Sequence, residues 1–194
     1  MKTITKKEIF KLTIKNSKFI GIIIPFDDIT KLKDNLSEIK DEYKNATHYC
    51  YAYRLINNFG YSDDLEPNKT AGLPIYNVLE QNDLVNVLLV VIRYFGGIKL
   101  GTGGLIRTYS EISHETVNKA CKVTLIDGYL TTITFTYSLE KRIAYLLKNS
   151  QIIKKEYAND CTYQVLTTKD TLQELKNLNI VTSIIEKKIP KTFP

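Results

Sequence analysis

Five of the nine glycines in this chain of 194 residues fall between positions 96 and 104. They follow residues 85–94, which contain the most apolar run of the sequence, and precede residues 105–120, where apolar side chains recur at helical spacing. A strand that leads through glycines directly into a helix is typical of a fold that combines sheets and helices. We call residues 93–107 the glycine-rich segment.

The glycine-rich segment is a candidate anion-binding site, because N–H groups at the start of a helix can hold an anion at the positive end of the helix dipole. Cationic side chains at Arg93, Lys99 and Arg107 would strengthen that attraction. The backbone would approach the anion at Gly96, Gly97, Gly101, Gly103 and Gly104. Neither a Walker A motif nor a complete dinucleotide fingerprint is present, so no nucleotide or other cofactor is expected. Alternatively, the glycines serve only tight turning and close packing.

The remaining pattern predicts two α+β domains. The first domain, residues 1–127, is predicted to begin with a hairpin at 10–15 and 18–25, a helix at 29–44 and a strand at 48–56. A loop at 57–69 then leads into a helix that is capped by Thr70 and ends near 81. A strand at 85–94, a helix at 105–120 and a strand at 122–126 complete this domain. After Asp127 and Gly128 the pattern restarts. The second domain, residues 128–194, has the order βαββαβ of a ferredoxin-like unit, with strands at 131–137, 152–158, 162–167 and 180–187 and helices at 139–148 and 171–178.

Composition limits the class of protein. The formal net charge of +6 is compatible with a polyanionic partner, but any nucleic-acid surface must form by clustering in space, since neither domain is a basic tail. Cys50, Cys121 and Cys161 are odd in number and lack a CxxC pair, so a disulfide framework or zinc site is not expected. The longest apolar run is too short to span a membrane and no signal peptide is evident. We predict a cytoplasmic protein with no membrane partner.

A second group of polar residues lies in an acidic loop at residues 61–67, which contains Asp63, Asp64 and Glu66. These carboxylates could bind a divalent metal, form turns or cap a helix. We favour a different interpretation, in which they pair with Arg93, Lys99 or Arg107 and hold the glycine-rich segment in place.

The strand at 48–56 places His48 and Cys50 on one face and several tyrosines on the other. Neighbours on one face of a strand stand about 7 Å apart, which is long for a Cys–His nucleophile pair. No catalytic residue is therefore assigned. The tyrosines either pack in the core or stack on nucleic-acid bases.

Four sequence blocks together resemble the signature of the IMPACT family. They are SKFIG at 17–21, HYCYAY at 48–53, SDDLEP with TAGLP at 62–74, and VIRYFGGIKLGTGGLIRTY at 91–109. The chain looks like a bacterial-type member without the RWD domain of eukaryotic members, so their role in a kinase pathway is not carried over. Leu65 departs from the pattern, since glycine is common at that position of the acidic block, and Tyr49 stands where a smaller polar residue is frequent.

The resemblance implies a first domain like that of a small-subunit ribosomal protein and the fourth domain of elongation factor G. It also implies a second domain like the fifth domain of that factor. These parallels favour an RNA- or ribosome-binding accessory protein involved in regulation of translation or in a stress response. Phosphates would contact Arg93, Lys99, Arg107 and the glycine backbone, with support from His48, Asp63, Asp64, Glu66 and Tyr109. Two alternatives remain: an enzyme acting on a small phosphorylated or nucleotide substrate with a metal at the acidic loop, and a protein-interaction module.

Overall fold

The computed structural model describes residues 1–191. The chain divides into two compact units, Met1–Val123 and a second one from Thr124 onward. Both combine helices and strands, so the α+β class is confirmed. Within the described part of the chain, no helix is both long and apolar enough to cross a membrane.

The first unit is built on one antiparallel sheet. Its elements are β1 (Lys2–Ile4), β2 (Glu8–Ile14), β3 (Ser17–Pro25), α1 (Leu32–Glu42), β4 (His48–Arg54), β5 (Phe59–Ser62), α2 (Gly72–Gln81), β6 (Val87–Tyr94) and α3 (Thr102–Lys119). The sheet order is β2-β3-β6-β4-β5. Strand β6 is therefore central.

Helices cover both faces of this sheet. On one face, Leu32, Leu36 and Ile39 of α1 pack among residues that include Ile20, Leu88 and Val90. On the other, α2 and α3 pack against a larger cluster that includes Phe19, Cys50, Leu89 and Val91. Burial on both faces explains why β6 reads as a continuous apolar run instead of an alternating one.

Strand β7 (Lys122–Phe135) begins at the end of the first unit and continues into the second. It is followed there by α4 (Glu140–Leu146), β8 (Gln151–Tyr157), β9 (Cys161–Thr167), α5 (Lys169–Asn177) and β10 (Val181–Pro190). Its strands pair antiparallel in the order β10-β7-β9-β8. Ile133, Tyr163 and Val165 pack with Ile143 and Leu175 of the two helices. The predicted βαββαβ order of elements is confirmed.

The structure corrects the predicted break after residue 126, because β7 runs unbroken from Lys122 to Phe135. Gly128 is paired within the ladder opposite Lys187. A Cβ on Gly128 would lie 2.1 Å from Cδ1 of Ile189. This glycine therefore permits close side-chain packing within the sheet and does not mark a turn.

The predicted loop at 57–69 and the predicted cap at Thr70 are also wrong in part. Residues of that loop form β5, which pairs with β4. Helix α2 begins at Gly72 without a side-chain cap from Ala71, and the hydroxyl of Thr70 donates to the carbonyl of Pro67 at 2.6 Å. The N–H groups of Ala71 and Gly72 instead donate to Oδ1 of Asp63.

Candidate functional site

The middle of the glycine-rich segment, residues 95–101, forms the connection between β6 and α3 and lies at the surface. Gly97 (φ 84°) and Gly101 (φ 73°) adopt left-handed backbone conformations, which glycine takes without steric cost. Nothing lies within 4 Å of where a Cβ would stand at either position. The requirement for glycine here comes from the backbone conformation alone.

Gly96 has a different role, because it packs directly against the turn between β2 and β3. A Cβ at this position would lie 2.1 Å from both the carbonyl carbon and the carbonyl oxygen of Asn16. The N–H of Gly96 also donates to Oγ of Ser17 at 3.2 Å. This contact fixes the segment to the β2–β3 turn.

The start of α3 leaves backbone donors free. Leu105 is the first helical residue whose N–H reaches a carbonyl, that of Gly101 at 2.9 Å. Gly103 and Gly104 lie in the first turn, which has no side-chain cap. Within residues 1–191, no acceptor is found for the N–H groups of Thr102, Gly103 and Gly104. Free donors at the positive end of an 18-residue helix suit an anion.

The three predicted cations are not equivalent. Lys99 and Arg107 are exposed, and neither forms a salt bridge with any described residue. Arg93 is only 4% exposed, and its Nη1 donates to Oε1 of Glu66 at 2.6 Å. A buried, paired guanidinium is not available to a phosphate. The expected direct contact of Arg93 is therefore corrected to a supporting role beneath the exposed residues of the segment.

Glu66 is the centre of a buried polar cluster. Besides Arg93, the hydroxyl of Tyr109 on α3 donates to its Oε1 at 2.9 Å. Burial raises the pKa of Tyr109 well above its ordinary value, so this hydroxyl stays a donor. Nε2 of His48 lies 3.9 Å from the same oxygen. The predicted pairing of the acidic loop with Arg93 is confirmed, whereas pairing with Lys99 and Arg107 is not found.

The other two carboxylates of the acidic loop accept from the backbone. Asp63 holds the start of α2 through Oδ1 and accepts from the N–H of Lys69 through Oδ2 at 2.9 Å. Oδ2 of Asp64 accepts from the N–H of Tyr49 at 2.6 Å. Leu65 has φ 71° and a side chain that protrudes with 92% exposure. A leucine therefore occupies a conformation that glycine takes more easily.

His48 and Cys50 are held by the carbonyls of the acidic loop. Nδ1 of His48 lies 2.8 Å from the carbonyl oxygen of Asp64, and since a carbonyl can only accept, Nδ1 carries the proton. The thiol of Cys50 donates to the carbonyl of Asp63 at 3.0 Å. Burial raises the pKa of the Cys50 thiol well above its ordinary range, which disfavours a nucleophilic thiolate. In the part of the chain described, no three His, Cys, Asp or Glu residues are grouped to hold a metal ion.

These environments predict how the three thiols react. Cys121 is exposed, whereas Cys50 and Cys161 are fully buried and burial raises the pKa of both thiols. We expect a disulfide reagent at neutral pH to modify one thiol rapidly in the folded protein and all three after denaturation. Cys121→Ser should abolish the fast reaction. A second fast thiol in the folded protein would contradict the burial of Cys50 and Cys161.

The β2–β3 turn adds two cations that the local sequence pattern did not indicate. Lys15 and Lys18 are exposed and lie beside Asn16, which contacts Gly96. Neither lysine forms a salt bridge with a residue that the structure describes. We call the surface formed by Lys15, Lys18 and the glycine-rich segment, which includes Lys99 and Arg107, the cationic edge. The closeness of the β2–β3 turn to the glycine-rich segment becomes visible only from the pairing of β3 with β6, which places Lys18 opposite Tyr94.

The fold and this edge define a two-unit α+β protein whose first unit presents a glycine-rich, cationic surface above a buried Glu66–Arg93 pair. The sequence model of the Impact N-terminal domain matches residues 15–117, which include every residue of that surface. The chain belongs to the IMPACT family.

Known proteins agree with this assignment. The chain is similar to the IMPACT family member YvyE of Bacillus subtilis (strain 168), with 36% identity over 152 residues that cover 75% of this chain and 69% of the relative. An IMPACT family member of Haemophilus influenzae is 32% identical over 186 residues, covering 93% of this chain and 83% of that one. A crystal structure described as that of a hypothetical protein superimposes with a TM-score of 0.66 and 25% identity, covering 98% and 97% of the two chains.

Proposed function

We propose that this chain is an RNA- or ribosome-binding accessory protein that acts in regulation of translation or in a stress response. The observation that carries the proposal is an asymmetry of pairing around the cationic edge. Asp63, Asp64 and Glu66 all accept hydrogen bonds from the chain itself, whereas Lys15, Lys18, Lys99 and Arg107 have no acidic partner among residues 1–191. None of these acids forms a salt bridge with the four cations, so the four cationic side chains remain available to an anionic ligand.

Phosphate is the ligand chemistry that this edge suits best. Lys99 and Arg107 would contact phosphate oxygens as side chains, and the free N–H groups of residues 102–104 would donate to them from the backbone. Each phosphate neutralised in this way releases condensed counterions, which favours binding at low salt. Arg93 and Glu66 would act below the surface by keeping the glycine-rich segment in position.

Fold parallels favour RNA or the ribosome over other polyanions. We propose that the first unit adopts the fold shared by a small-subunit ribosomal protein and the fourth domain of elongation factor G, and that the second unit is ferredoxin-like. The βαββαβ order of the second unit and its β10-β7-β9-β8 sheet support the ferredoxin-like fold. Such parallels are analogies, so the proposed function depends on the surface and not on the fold. A cytoplasmic location is part of the proposal.

Removing Lys99 and Arg107 should weaken RNA binding and flatten its dependence on salt. For an unpaired RNA, each lost phosphate contact should reduce the log–log salt slope by about 0.7, so the double variant Lys99→Ala/Arg107→Ala should lose about 1.4. Fluorescence anisotropy across a series of potassium chloride concentrations measures both quantities. Lys33→Ala is the matched control, because Lys33 is exposed on α1, on the opposite face of the sheet, and has no acidic partner among the described residues. A flat salt response of the unmodified protein would contradict the proposal.

Ribosome binding is tested separately by co-sedimentation. The protein should sediment with ribosomes at low salt and leave them at high salt. Recovery of the same partner after RNase treatment would instead favour the protein-interaction module.

A further inference from the structure

Phe95 is the first residue after β6, and it stands on the cationic edge with 46% of its surface exposed. Its N–H donates to Oγ1 of Thr47 at 3.0 Å, which ties its backbone to the residue before β4. Cζ of Arg93 lies 5.3 Å from the centroid of its ring. Because Arg93 is buried, its guanidinium contacts the ring from the protein side, while 46% of the residue remains exposed to solvent.

The same segment exposes further apolar side chains. Ile98 and Ile106 are both exposed, and each directly precedes a cation in the sequence, Lys99 and Arg107 respectively. Phosphate binding by itself gives no role to these apolar side chains. A ligand that fits the whole edge must offer flat apolar faces and negative charges at close spacing.

We propose that Phe95 is a stacking platform for an unpaired base of RNA held at the cationic edge. This inference rests on the proposed function and adds the class of RNA that is bound. Bases of a duplex are already stacked on each other, so a duplex presents mainly phosphates and sugar hydroxyls to a protein. An unpaired strand exposes base faces next to its phosphates, and aromatic rings bind those faces with little sequence preference.

The contacts that restrict the ring of Phe95 favour a role in stacking. A backbone hydrogen bond and a guanidinium on the inner side restrict Phe95 before any ligand arrives. A side chain that is already restricted loses little conformational entropy on binding. Arg93 therefore positions two parts of the edge, the aromatic platform through its contact with Phe95 and the acidic loop through Glu66.

The test compares a short unpaired RNA oligonucleotide with a blunt RNA duplex of the same length, both measured by fluorescence anisotropy. Phe95→Ala should weaken binding of the unpaired RNA by roughly 5- to 150-fold, the range that one base–aromatic contact supplies. The salt slope should stay unchanged, because no phosphate contact is lost. Phe95→Tyr should retain affinity, and duplex binding should not respond to either substitution.

The matched control is Phe59→Ala. Phe59 is an exposed aromatic residue of β5 that lies next to the ring of Tyr76, at the opposite end of β6 from Phe95. Its removal should leave RNA affinity unchanged. Urea denaturation of each variant checks that the fold is intact.

A direct readout of stacking is also possible, because the chain contains no tryptophan. Phe95→Trp would place the single tryptophan of the chain on the platform, where it can be excited selectively over the tyrosines. Its emission should be quenched by the unpaired RNA and not by the duplex, and Lys99→Ala should shift the quenching to higher RNA concentration.

The outcomes separate this inference from the function on which it rests. If Phe95→Ala binds the unpaired RNA as the unmodified protein does, or weakens both RNAs equally, the stacking role is refuted. Sensitivity of that same binding to Lys99→Ala and Arg107→Ala would leave the proposed function standing. If no RNA binds at low salt, the proposed function itself fails.

Discussion

Replacing Glu66 with alanine is expected to lower the free energy of unfolding by about 3–5 kcal/mol, the usual cost of leaving one member of a buried ion pair without its partner. Arg93 would keep its charge in a site that is 4% exposed. Apart from its contacts with the rings of Phe19 and Phe95, it would retain a long hydrogen bond of 3.5 Å from Nη2 to Oγ of Ser17. Its Nε already lacks an acceptor among the described residues. The hydroxyl of Tyr109 would lose its acceptor as well. Urea denaturation measures the loss.

A double-mutant cycle separates the charge from the packing. Arg93→Met removes the charge and keeps an unbranched apolar side chain, but leaves the Glu66 carboxylate buried. The double variant Glu66→Ala/Arg93→Met has neither charge, so its destabilisation should be smaller than the sum of the two single effects. Strictly additive effects would show that the two side chains do not act as a pair.

An exposed pair gives the scale for comparison. Nζ of Lys7 lies 2.8 Å from Oε2 of Glu42, and both side chains are more than 40% exposed. Water already solvates these charges, so Glu42→Ala should cost no more than about 1 kcal/mol. Similar losses from Glu66→Ala and Glu42→Ala would contradict the importance assigned to burial.

The main elements of this fold could be predicted because their apolar patterns are local. Residues 87–92 of β6 are all apolar because both faces of this strand are covered. The apolar side chains of α1 recur at helical spacing because only one of its faces is covered. The glycine-rich segment could also be predicted from the local sequence, because its glycines meet a local backbone requirement. Two of its glycines meet a backbone requirement that no other residue type meets as easily, the positive φ of Gly97 and Gly101.

The parts that could not be predicted depend on contacts between residues distant in sequence. Asp63 accepts a hydrogen bond from the N–H of Ala71, eight positions later in the sequence, and so caps the start of α2. The local sequence pattern instead predicted the adjacent Thr70 as the cap. Gly128 was expected to lie between two separate strands, because the contact that requires a glycine there, the side chain of Ile189, comes from another strand. Such partners become visible only once the register of the sheet is known.

Arg93 illustrates the same limit within the site. Its neighbours in the sequence suggested an exposed cation beside the glycines. Its burial follows from strand alternation together with two elements distant in sequence: the acidic loop, whose Glu66 accepts from it, and α3, whose Tyr109 donates to the same carboxylate. The sequence therefore predicted these residues as one group, whereas which of them lie at the surface and which lie beneath it became visible only from the packing.

Replacing Gly96 with alanine should have the second large effect, a loss of about 3 kcal/mol in the free energy of unfolding, at the upper end of what overpacking costs. The added methyl would meet the backbone of Asn16 at 2.1 Å. Backbone cannot rotate away as a flexible side chain can, so either the β2–β3 turn or the glycine-rich segment must shift. The shift would also disturb the hydrogen bond from Gly96 to Ser17.

Gly103→Ala is the matched control, because the same chemical change is made in the same segment but meets no atom within 4 Å. Gly103 lies in the first turn of α3, where alanine is the better helix former, so stability should rise by up to about 1 kcal/mol. RNA affinity should nevertheless fall, since the methyl would crowd the free N–H groups at the helix start. Thermal or urea unfolding together with anisotropy separates the two effects. If Gly96→Ala were as stable as Gly103→Ala, the close packing of the segment on the β2–β3 turn would be refuted, and with it the anchoring that the cationic edge requires.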